Sequence, residues 1–164
     1  MHLLLNHLPV FGAAFGLLLL LAALLRKSGE LTKISLAVFL LTALIAIPAY
    51  LSGEPSEDYV KDLPGVSKDM IEEHEESAVF SMAGVEILGI LALAALWLSR
   101  HSSEVPRWAV LTTLILALAT TGLMARTANL GGQIRHSEIR GTSGTSPTEM
   151  GTTKPEKPSK DDKE

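Results

Sequence analysis

The chain contains no cysteine. Disulfides, thiolate metal sites and covalent haem attachment are therefore closed to it. It also lacks a basic stripe: fourteen Lys and Arg face eighteen Asp and Glu, a formal charge of −4 that lies mostly in one loop and the tail. Nothing in that distribution fits a nucleic-acid partner. No nucleophile stands beside a base, no phosphate-binding loop is present, and no pair of catalytic carboxylates appears, so the expectation is a protein that is not an enzyme. Nothing basic precedes the first apolar run, and Arg26-Lys27 follow it. A secretory signal peptide has the reverse order, so that run reads as a retained helix.

What is present is apolar sequence in blocks. Of 164 residues, 47% are apolar, and they concentrate in Leu8–Leu25, Ile34–Leu51, Ala78–Leu98 and Trp108–Ala125. Each block holds 18 to 21 residues, enough at 1.5 Å per residue to cross a hydrocarbon core of about 30 Å. In lipid the backbone must satisfy its own polar groups, which leaves helices or a closed barrel. The runs lack the alternation of barrel strands. The expected fold is all-α: a four-transmembrane-helix antiparallel bundle over residues 1–140, with helices near 8–25, 34–51, 68–98 and 107–130. Residues 141–164, "GTSGTSPTEMGTTKPEKPSKDDKE", have no apolar periodicity and are expected to be a disordered tail.

Charge placement orients this bundle. The segments "RKSGELTK" and "SRHSSEVPR" carry Arg26, Lys27, Lys33, Arg100 and Arg107, whereas Ser52–Glu76 sets Lys61 and Lys68 against nine carboxylates. The positive-inside rule then puts both termini outside the bacterial inner membrane, although Arg126, Arg135 and Arg140 count against it. Asn6 is read as capping the first helix. A tight turn at Ser28-Gly29 joins helices 1 and 2, and Pro48 kinks or ends helix 2. Ser67, with Asp69 in the following turn, caps helix 3. Pro106 opens helix 4 and Gly131-Gly132 closes it.

The candidate chemistry lies in the histidines. In this topology His2, His7, His74 and His136 share the outer side, and only His101 lies inside. His7 and His74 differ in depth by roughly 6 Å. Two imidazoles at one depth can take both axial positions of a haem iron. His7, His74 and His136 together, or two of them with Glu73 or Glu75, can hold Zn²⁺ or Cu²⁺. The plain alternative is that each is an interfacial imidazole wetted at the headgroups. Helical phase puts His74 on a stripe with Ala78, Ser81, Val85 and Ala92, the small, slightly polar kind that faces other helices. His7 shares its stripe with Phe11 and Leu18, almost opposite Gly12 and Gly16. Glu86 lies mid-span, where an acid is costly. Arg126 falls in line with Ile115, Ala119 and Gly122, a stripe read as inward. It is a candidate partner for Glu86, a haem propionate, or the interface.

"NHLPVFG" entering helix 1, His74 heading helix 3 and "GGQIRH" leaving helix 4 resemble a bacterial four-helix integral membrane family of unknown function. The likeness covers about residues 1 to 140. That family's usual first helix opens on a His-Pro-x-x-x-His pattern; here His2 and His7 stand five apart. His7, His74 and His136 are the matching positions. Members often occur beside cytochrome c or Rieske-type partners, so the resemblance implies a redox-linked setting with a b-type haem. Two readings follow: a small subunit holding one haem b or metal ion near its outer face, or a cofactor-free accessory subunit of a membrane complex.

Overall fold

The computed structural model describes residues 5–134, apart from 54–58, 60, 62, 64–65 and 103. Four helices follow one another: α1 (His7–Arg26), α2 (Gly29–Leu51), α3 (Lys68–Leu98) and α4 (Arg107–Gln133). All four are long and apolar enough to cross a membrane. Each packs antiparallel on the next in sequence, and α1 closes the ring against α4 through the sparsest contact. One end of the bundle, the terminal end, gathers the start of α1, the end of α2, the start of α3 and the end of α4. The other, the turn end, holds the α1–α2 and α3–α4 connections. The proposed tail lies outside the described residues.

Local sequence explains where the helices begin. Lys27 takes a left-handed conformation (φ 51°) and its N–H caps the last carbonyls of α1, which reverses the chain within two residues. Ser28 then accepts the Leu31 N–H at 3.2 Å, so α2 starts five residues ahead of its apolar run. The run measures lipid thickness, whereas the helix extends into the headgroups, where Glu30 remains solvated and Lys33 finds carbonyl acceptors. Ser67 caps α3 in the same way, accepting from Met70 N–H at 3.4 Å.

Three expected boundaries differ. Asn6 has helical dihedrals and makes no capping bond, because side-chain capping needs the extended conformation. Pro48 does not end α2, which runs on to Leu51, and Ser52 N–H still reaches Pro48 O at 3.1 Å. Gly131-Gly132 does not close α4, which continues to Gln133, since Gly131 serves a close contact described below.

Small residues hold the helices together. Lipid tails are as apolar as leucine, so membrane helices associate through close packing rather than expulsion of water. On α1, Gly12 lies against the Thr42 side chain, and a Cβ at Gly16 would stand 2.6 Å from the Phe39 ring. Ser35 uses that closeness to donate its hydroxyl to Gly16 O at 2.8 Å. Gly89 on α3 abuts Ala43 on α2, and Gly84 on α3 lies against Thr120 on α4. Leu20, Leu36, Phe39, Leu88, Ala109 and Ala117 fill the interior. Phe11, Leu44, Ile90 and Ile115 are among the large residues left facing outward, as lipid contact demands. At the turn end, the Lys33 ammonium donates to the carbonyls of Ser99, at 3.0 Å, and Ser102. It clasps the carbonyl-rich end of α3, where a cation is favoured.

Gly89→Ala should force α2 and α3 apart and cost about 1–3 kcal/mol. Gly122, with nothing within 4 Å of an added Cβ, should accept Ala without loss. Thermal unfolding in detergent checks both; equal midpoints for the two variants would contradict the packing account.

Candidate functional site

The most developed polar structure lies between α3 and α4 at the terminal end. α3 has 31 residues, about 46 Å of helix against a hydrocarbon core of about 30 Å. Its first turns therefore stand clear of the lipid, and His74 lies where the projecting part meets the span. The His74 Nδ1 is 3.0 Å from Thr127 O. A carbonyl only accepts, so Nδ1 carries the proton, and in the neutral ring Nε2 holds the lone pair. The ring rests flat on α4 because residue 131 is glycine: a Cβ there would stand 3.1 Å from Cε1. One helical turn deeper, the Thr127 hydroxyl meets Ser77 Oγ at 2.7 Å and Ser81 Oγ at 2.8 Å. The latter two residues are buried, so this knot satisfies hydroxyls that lipid would leave stranded.

On the outer flank of the knot, Arg126 Nη2 donates to Glu73 Oε1 at 3.2 Å. The two side chains are 55% and 43% exposed, so solvent screens the pair and it is worth at most about 1 kcal/mol. Arg126 therefore does not reach Glu86. The supposed inward stripe of Ile115, Ala119, Gly122 and Arg126 is exposed along its length. Small size alone misled: Ala119 and Gly122 are small yet face outward, and the true inner line of α4 runs Ala109, Thr113, Ala117, Thr120, Met124. Glu86 flanks Gly89 on the edge of α3, with its Oε1 buried and without a hydrogen-bond partner among the described residues.

Two of the three candidate imidazoles, His74 and His7, fall within the described residues, and their settings differ. His74 is half-buried in the α3–α4 interface. His7 is exposed and stacks its ring on Phe11, centroids 6.4 Å apart. The buried line of α1 is Pro9, Ala13, Gly16, Leu20 and Ala23, and His7 falls on the opposite side of the helix. His136 lies outside the described residues. Among those described, no group of three His, Asp or Glu side chains is placed to hold a metal ion.

Thr127, Ser77, Gly131 and Glu73 were not legible as a unit from sequence. A signal existed: Thr113, Thr120 and Thr127 recur every seven residues along α4 and lie toward its packed side, although Thr112 and Thr121 stand next to two of them. Thr113 and Thr120 are fully buried, with hydroxyls unpartnered among the described residues.

No family model, curated protein or solved structure matches the chain.

Thr127→Val removes the hydroxyl shared by Ser77 and Ser81 and should cost about 1 kcal/mol. Glu73→Gln should cost less, by the screening argument. Unfolding in mild detergent separates them, and the reverse order would show that the ion pair, not the hydroxyl knot, joins the helices.

Proposed function

We propose that this protein is a non-catalytic accessory subunit of a bacterial inner-membrane complex, and that the projecting start of α3 is its docking element. The observation that carries the reading is the braced acidic headland. Asp69, Glu72, Glu75 and Glu76 are exposed there on a helix tied to α4 by His74, Ser77, Ser81 and Glu73. A solvated, unattached helix end would fray; this one holds four carboxylates in a fixed array. Lys61 and Lys68 stand beside Glu72 and Glu75, yet the carboxylates outnumber them, and a net charge of one sign steers an oppositely charged partner. The fitting partner is a basic domain on the same side of the membrane, a description that a cytochrome c-like protein meets. A Rieske-type partner fits if its contact face is basic.

Positive charge at the turn end supports an orientation with the headland and both termini outside. Arg26, Lys27, Lys33, Arg100 and Arg107 lie there against Glu30 and Glu104, and such an excess is retained on the cytoplasmic side.

A second reading keeps the redox cofactor, and one observation favours it. Donation from a ring N–H to a backbone carbonyl is how ligating histidines are usually oriented. His74 has that arrangement, so in this reading it is one ligand of a haem b or metal ion and His136 is the other. His7, turned outward, takes no part, and Arg126 is engaged with Glu73 rather than with a propionate. A haem held there would supply one-electron transfer at the outer rim.

Purified protein titrated with a basic c-type cytochrome should bind it in a salt-sensitive manner, and the triple variant Glu72→Lys/Glu75→Lys/Glu76→Lys should lose about tenfold or more in affinity. Binding unchanged by the charge reversal would end the docking proposal. For the second reading, reconstitution with haem should give a Soret band that His74→Ala abolishes and His7→Ala leaves intact; a colourless product ends it.

A further inference from the structure

At the turn end, on the side away from the Lys33 clasp, lies a groove of about 460 Å³ between the end of α1, the start of α2 and the start of α4. It occupies the seam where the ring of helices is least tightly closed. Lys27 and Arg107 line its mouth together with Glu104. Neither cation makes an ion pair or side-chain hydrogen bond among the described residues, whereas Lys33 and Arg100, outside the groove at the same end, are engaged. Lys33 holds the end of α3, and Arg100 lies 4.2 Å over the Trp97 ring while donating to Trp97 O. Two cations and one carboxylate leave one net positive charge at the mouth. Below it the lining becomes apolar, with Val110 buried in the floor and Leu24 and Leu111 exposed on either side.

We propose that this groove is a binding site for one anionic phospholipid of the phosphatidylglycerol type. Its phosphodiester, with a single negative charge, sits between the Lys27 ammonium and the Arg107 guanidinium, which matches the net charge of the mouth. The Glu104 carboxylate accepts from the headgroup hydroxyls. One acyl chain follows Leu24 and Leu111 down the α1–α4 seam. The depth is right: Trp97 and Trp108, both exposed at this end, mark the level at which aromatic side chains meet headgroups. Basic pockets between membrane helices are suited to such headgroups. A free phosphate would be held by the charge alone and would leave the apolar floor and seam unused, so the occupant is a lipid. The proposal is independent of the docking reading, because the groove and the acidic headland are at opposite ends of the molecule.

The test is native mass spectrometry of the delipidated full chain, titrated separately with phosphatidylglycerol, phosphatidylethanolamine, phosphatidylcholine and inorganic phosphate. Phosphatidylglycerol should remain bound at one per chain and raise the unfolding temperature, while the other three do neither. Lys27→Gln/Arg107→Gln should weaken retention about 30-fold, at a few-fold for each cation near the headgroups. The charge-keeping Lys27→Arg/Arg107→Lys variant should restore it, and Arg100→Gln, outside the groove, should leave it unchanged. Equal retention of either zwitterionic lipid, competition by phosphate alone, or undiminished binding to a folded double Gln variant would each overturn the proposal.

Discussion

In a hydrocarbon solvent nothing expels one helix onto another, and the bundle depends on how near the backbones can come. Gly12 and Gly16 let α1 lie on Thr42 and Phe39, Gly89 admits Ala43, and Gly84 admits Thr120. Each contact removes a side chain that would otherwise hold two helix axes apart. The hydrogen bonds between helices follow from that nearness. Ser35 reaches the carbonyl of Gly16 because the glycine lets the Phe39 ring, and with it α2, come close, and His74 reaches Thr127 O because residue 131 has no side chain. Close packing is thus the cause and polar bonding between helices its result.

The same constraint separates the two ends of the molecule. At the terminal end, α3 and α4 continue past the lipid and remain joined by hydroxyls, an imidazole and one screened ion pair, so the projecting helix keeps its charges in a fixed arrangement. At the turn end the connections are short, and the helices meet around a positively charged groove. The acidic and basic regions are therefore about one membrane thickness apart, each held by the rods that cross between them.

Much of this was legible beforehand and some was not, for identifiable reasons. The spans could be read from length, because a run of about 20 apolar residues has few other uses. The start of α3 was visible in Ser67 and Asp69, which act locally. Facing was harder. A lipid-exposed surface is as greasy as the interior, so hydrophobicity does not distinguish Ile115, which faces outward, from Leu88, which does not. Glycine position did better than apolarity on α1, where Gly12 and Gly16 mark the packed side and set His7 opposite. It failed on α4, where Gly122 packs against nothing and drew Arg126 into a false inward stripe. The partner of Arg126 lies 53 residues away in sequence, a pairing that spacing alone cannot reveal. The resemblance pointed to His7, His74 and His136; His74 is drawn into the α3–α4 interface, His7 faces outward, and His136 lies outside the described residues.

The Lys33 clasp has a consequence for how the chain is assembled. Its two acceptors, the carbonyls of Ser99 and Ser102, belong to the second hairpin, whereas the lysine belongs to the first. When α1 and α2 have left the ribosome, the ammonium has nothing to grip. Until the later pair is made, this bond contributes nothing to setting the earlier pair against it. Alignment of the two halves is thereby deferred to a late moment of synthesis, and a chain arrested before that point would be threaded through the bilayer yet still unjoined.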